Sequence, residues 1–171
     1  MSTVQAEISF EHVDFEFDSL EDELRVEGLC RQLLHQFYHH LQNNNLTPQR
    51  ASELAYAVDY FVRDYLLDFL QQNILRPQPG QLRYFAASWY ITRTLEPELV
   101  VLDRHLDGIV AWYRFLRELH LITADELAML EQEAAQRDYY ADRIERFLSL
   151  YGEGFEAWDR ECPLGGLSVC R

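Results

Sequence analysis

The chain has 171 residues, of which 48% are hydrophobic and 13% aromatic, a composition that excludes intrinsic disorder and suits one packed core. Its 29 acidic residues outnumber 15 basic ones for a net charge of −14, and every basic residue is an arginine. That balance repels a phosphate backbone unless the arginines gather on one face, so duplex DNA is not an expected partner.

The acidity is partly local, because residues 1–27 carry nine carboxylates and a single arginine. No apolar run approaches the ~20 residues of a membrane span, and no charged segment followed by an apolar one opens the chain. A cytoplasmic protein without membrane association is the corresponding expectation. Three cysteines in a chain large enough to bury a core point to free thiols. Cys162 and Cys170 have seven residues between them, which is not a zinc-ribbon spacing, and they are expected in a mobile tail.

Residues 1–18 form an acidic arm whose apolar positions (Ile8, Phe10, Val13, Phe15, Phe17) run near period two, which predicts an extended segment docked on the domain. Ser19, with Asp22 three residues on, then opens a first helix. Its stripe is Val26, Cys30, Leu33, Phe37 and Leu41, and it ends at Asn43-Asn44-Asn45. Thr47-Pro48 restarts the chain as an N-cap with proline at the first helical position. This second helix is expected to reach about Gln72 on Leu54, Val58, Phe61, Tyr65 and Phe69.

The two prolines and the glycine of residues 76–80 make a loop. A third helix carries Leu82, Phe85, Trp89 and Ile91. A fourth starts near Pro97 and repeats Leu99, Leu102, Leu106, Ile109, Tyr113 and Leu116 at steps of three and four. Thr123 and Glu126 form a further capping box. The fifth helix is read over residues 124–150, with a stripe from Leu127 to Tyr151 that thins at Ala134 and Arg137. At ~27 residues and 1.5 Å per residue it is about 40 Å long, more than such a domain requires, so part of it is expected to face another subunit. The helical domain thus spans residues 19–151, and residues 152–171 form a tail anchored by Phe155 and Trp158.

Three phrases in this order carry a family likeness: Phe37-Tyr38-His39-His40-Leu41, then Asn45-Leu46-Thr47-Pro48-Gln49-Arg50, then Phe61-Val62-Arg63-Asp64-Tyr65-Leu66. The aromatic-rich run Leu106–Leu116 followed by Leu121-Ile122 adds a fourth. Residues 29–122 resemble the core-binding (SAM-like, N-terminal) domain of tyrosine recombinases and phage integrases. The resemblance implies an all-α fold, about five helices in an orthogonal bundle, and an ancestral association with DNA. Two departures limit it. None of the six histidines has an arginine three residues later, as the family's catalytic domain requires, and the last 50 residues are too few to house that domain. The family's basic, DNA-gripping helices are also replaced by a lysine-free acidic chain.

The remaining constellations are weighed against plain structural roles. His35 and His39 stand one helical turn apart and could reach one metal ion, with Cys30 a turn further back, but no third ligand is in sequence range. A polar helix edge is the expected reading, and a metal-dependent enzyme the distant one. Arg104, Arg114 and Arg117 line the fourth helix and are the residues a DNA-associated accessory factor would use, yet Asp103, Asp107 and Glu118 alternate with them. Trp89, Tyr90, Trp112 and Tyr113 recur at core spacing. Ile144, Phe147 and Leu148 are the candidate interface of a homodimer. No catalytic residue and no cofactor is expected. The sequence therefore predicts a non-enzymatic helical interaction module that binds a protein partner or itself.

Overall fold

A computed structural model describes residues 9–163, which are all-helical with no strand among them. Seven helical segments, where about five were expected, follow a short 3-10 turn, His12–Phe15; the fifth expected helix is divided in two and the tail adds another. The expected N-caps are all in place. Ser19 accepts from the Asp22 amide at 3.1 Å to start α1 (Leu20–Asn43), and Thr47 accepts from the Arg50 amide at 3.2 Å to start α2 (Pro48–Asp59). The Thr123–Glu126 capping box starts α6 (Ala124–Ala134), with both reciprocal bonds made, at 3.1 and 2.8 Å. Between α1 and α2, Asn45 takes the left-handed conformation at φ 68°, which asparagine tolerates better than most residues.

The second helix departs from simple α geometry. After Asp59 it continues without interruption into a π-helical stretch, Tyr60–Phe69, before its end at Leu70. The third helix does the same: α3 (Gln81–Tyr84) passes through a π stretch, Phe85–Trp89, into α4 (Tyr90–Arg93). The two wide stretches face one another through aromatic rings. Phe61 meets Phe85 at 5.0 Å, Tyr65 meets Trp89 at 5.1 Å and Tyr60 meets Trp89 at 5.4 Å between centroids.

α5 (Leu99–Glu118) passes through the middle of the core, burying Leu102, Leu106, Ile109, Trp112, Tyr113 and Leu116. It packs tightly on α2 at Gly108, where a Cβ would stand 3.0 Å from the Leu54 carbonyl oxygen. Trp89, Tyr90, Trp112 and Tyr113 are buried as expected, whereas Phe69 and Tyr151, expected on the stripes of the second and fifth helices, are exposed.

Two expectations are corrected. The arm is docked, but as a 3-10 turn rather than a strand. Phe10 and Phe15 are buried while Val13 points out, and the Asn73 side chain donates to the His12 carbonyl at 2.8 Å. Ile8, part of that pattern, lies outside the described residues. The long fifth helix does not exist as one rod. It breaks at Ala135-Gln136 into α6 and α7 (Arg137–Leu148), where Gln136 has ψ 43°. Arg137 holds the break: its guanidinium donates to the Ala134 carbonyl at 2.7 Å, and to the carboxylates of Asp103 at 2.8 Å and Asp107 at 3.1 Å on α5. Side-chain capture of a carbonyl at the helix end substitutes for the next turn.

The tail also folds back, at least to residue 163. α8 (Gly154–Arg160) brings Trp158 into a socket against Phe147, at 5.0 Å between rings, and against the guanidinium of Arg143, 3.7 Å above the indole. Arg143 is fully buried and donates to the carbonyls of Ala87 and Trp158, at 2.9 and 2.5 Å.

Candidate functional site

The start of α1 leaves apolar side chains uncovered. Its buried stripe begins at Val26, so Leu20 and Leu24, one turn apart, fall on a different face and are 72% and 65% exposed. They form one wall of an open cleft of about 550 Å³, floored by Val26 and Phe17. The other wall is the π-helical stretch, which contributes Leu67 between Asp64 and Asp68, with Gln71 at its end. The apolar side chains of the cleft thus share it with four carboxylates, Glu23, Glu27, Asp64 and Asp68.

One cation lies among them. Arg63 is already committed to Asp59 at 3.1 Å and Glu27 at 3.5 Å. Partial burial pushes the Asp64 carboxyl above its usual range, the neighbouring charges of Asp68 and Asp59 add to the rise, and Arg63 opposes it. Sequence reading missed this site. The signal was present, since Leu20 and Leu24 stand outside the periodic stripe of their helix, but only the position of Leu67 opposite them makes a cleft.

A second cleft of about 540 Å³ lies between α2 and α5 and is lined by Gln49, Ser52, Tyr56, Val101, Arg104 and His105, among others. Tyr56 is three-quarters exposed there. His105 packs between the rings of Tyr60 and Tyr90, at 5.3 and 5.6 Å, and burial pushes its pKa down, which keeps it neutral.

The sequence candidates are placed as follows. His35 and His39 are exposed on α1 and share a hydrogen bond between their Nε2 atoms at 3.0 Å. Cys30 cannot join them, because it is fully buried and desolvation pushes its thiol up to about 12. No group of three metal-ligating side chains occurs among the described residues. Arg104, Arg114 and Arg117 have separate surroundings. Arg104 faces the second cleft, Arg114 is paired with Glu131 at 2.8 Å, and Arg117 approaches His120 at 3.4 Å.

The proposed interface residues separate as well: Ile144 is buried in the chain's own core, Phe147 packs on Trp158, and only Leu148 is exposed. The break in the fifth helix removes the length that suggested a projecting end. Cys162 is a buried free thiol rather than part of a loose tail, while Cys170 lies outside the described residues. No helix among the described residues is long and apolar enough to cross a membrane. Compared with protein-family models, curated proteins and solved structures, the chain matches none, so the likeness to recombinase core-binding domains rests on its helical phrases alone.

Proposed function

We propose that the chain is a non-enzymatic helical interaction module whose α1/π-helix cleft receives another protein. The observation that carries this reading is the pair Leu20 and Leu24, held by a capped helix at the mouth of a 550 Å³ cleft and left in water. Two leucines kept exposed on a rigid element cost about 1.5–3 kcal/mol each relative to burial, a cost recovered when a partner covers them. The rest of the chain supports the same role, since its ion pairs and caps fix the cleft walls rather than assemble reactive groups. Arg63 ties α1 to the π stretch through Glu27, and Arg25 on α1 ties down the arm by donating to the Asp14 and Glu16 carbonyls.

The test is a photo-crosslinking amino acid placed at Leu24 and, as a reference, at the exposed Glu145 on α7. In cells that produce the protein, position 24 is expected to yield a discrete heavier adduct and position 145 is not. Equal yields at both positions, or none at position 24, would refute the reading.

A further inference from the structure

We infer that the occupant of this cleft is a basic amphipathic helix of a partner protein, an inference that rests on reading the cleft as a protein-binding surface. Its apolar residues would seat against Leu20, Leu24, Phe17 and Leu67, and its lysines or arginines would face Glu23, Glu27, Asp64 and Asp68.

Charge selects the chemistry. Four carboxylates line the cleft beside its leucines; Arg63 is shared between Asp59 and Glu27, Glu27 also meets Arg31 at 3.4 Å, and Glu23, Asp64 and Asp68 have no ion-pair partner among the described residues. An apolar segment alone would desolvate Glu23, Asp64 and Asp68 without giving them partners. A cationic segment relieves that crowding, and it is drawn in by the field of a chain with net charge −14. The same charge excludes anionic occupants, so a nucleic acid or an anionic lipid surface does not fit.

Geometry selects a helix. The described residues contain no strand and so offer no sheet edge for an extended peptide to extend. The cleft lies instead between two helical walls. Leu20 and Leu24 are four residues apart, or about 6 Å along the axis, the same interval as the i, i+4 anchors of a facing helix.

Two other occupants fit less well. A second copy docked by its own cleft face would set the same four carboxylates against themselves across a two-fold axis. The chain's own residues 1–8 contain one acid and neither lysine nor arginine, so they cannot neutralise the rim.

The experiment pans a displayed library of random 16-residue peptides on the full-length protein, after subtraction on a Leu20→Ser/Leu24→Ser double variant. Both leucines are exposed, so this variant keeps its helical circular dichroism. Selected peptides are expected to be cationic, with apolar residues at i, i+3 or i+4, and i+7. Measured by fluorescence polarisation, Leu24→Ser weakens them at least tenfold. Asp64→Asn/Asp68→Asn weakens them severalfold and flattens their salt dependence.

Selected peptides that need Leu24 but are neutral or acidic would overturn the inference and leave the proposed function standing. Finding no ligand that distinguishes the wild type from the double variant would overturn both. A tenfold gain in affinity on deleting residues 1–8 would make the chain's own segment the occupant. A dimer in sedimentation that Leu24→Ser dissociates would give that place to a second copy.

Discussion

Two buried charges show how single residues join distant parts of this chain. Glu133 on α6 accepts the Gly80 amide at 2.7 Å, while its other oxygen is buried without a partner among the described residues. Gly80 sits at φ 86°, a conformation that suits glycine, so its backbone can reach the carboxylate where α3 begins. Burial pushes the Glu133 carboxyl above its ordinary range, against the pull of the Gly80 bond and Arg83. A raised folded-state pKa contributes stability that is fully present below the ordinary carboxyl value and is lost as pH rises through the raised one. Glu133→Gln keeps an acceptor for Gly80 and removes the charge. Its stability relative to wild type is therefore expected to improve as pH rises above the ordinary carboxyl range, as read from urea melts. A difference that stays constant with pH would mean that Glu133 titrates as an exposed carboxylate does. Arg143 is the second case. Arg143→Met leaves the Ala87 and Trp158 carbonyls without their donor and the Trp158 indole without its cation. The expected loss is about 2–4 kcal/mol in denaturant unfolding, with faster tryptic cleavage after Arg160 as α8 comes away. Unchanged cleavage would show that α8 is held by other contacts.

At the level of the helix, α5 packs tightly on α2 at Gly108. An added Cβ meets the Leu54 carbonyl oxygen at 3.0 Å and the side chains of Val58 and Ala57 at 3.4 and 3.5 Å. Alanine favours a helix interior by about 1 kcal/mol over glycine, whereas overpacking costs about 1–3 kcal/mol. The nearest atom is backbone and cannot swing aside, so the packing cost wins. Gly108→Ala is expected to lower stability by up to about 2 kcal/mol in thermal denaturation, and a gain would show that the two helices can separate without loss. The break between α6 and α7 teaches the converse lesson. The stripe Leu130, Ala134, Arg137, Ala141, Ile144 keeps its period through the break because both helices face the same core. Neither proline nor glycine marks the site, so nothing local ends α6. The reason lies on α5, where Asp103 and Asp107 wait for Arg137.

The whole molecule is organised by a charge that its pairings divide unevenly. Arg114 on α5 and Arg137, Arg143 and Arg146 on α7 are each tied to carboxylates of their own chain, while Arg104 faces the second cleft and Arg117 approaches His120. Duplex DNA is accordingly expected to show no retardation in a gel at about 0.15 M salt, since several unopposed phosphate contacts are needed there. A salt-sensitive shift abolished by Arg104→Gln/Arg114→Gln/Arg117→Gln would restore the recombinase-like accessory role. Part of the acidic excess lies along the α1 cleft, where Glu23, Asp64 and Asp68 have no ion-pair partner among the described residues. Steering of a basic partner is a property of that field as a whole, and it weakens with salt.

Much of this protein was determined by its sequence. The helical class, the caps at Ser19, Thr47 and Thr123, and the burial of Phe61, Tyr65, Leu106, Ile109 and Leu116 follow from period and capping chemistry. These are local rules, satisfied within a few residues of where they are read. Tertiary structure decided the rest. The π stretches at Tyr60–Phe69 and Phe85–Trp89 match aromatic rings across two helices, and a shift of one residue per turn leaves no mark in a three-four pattern. Ile144 is inside and Leu148 outside, while Phe147 is covered by Trp158 of the returning α8. The cleft exists only because Leu67, Asp64 and Asp68 come to stand opposite Leu20 and Leu24, some forty residues earlier in the chain. An exposed leucine becomes a binding surface through what faces it, and that depends on how distant segments pack.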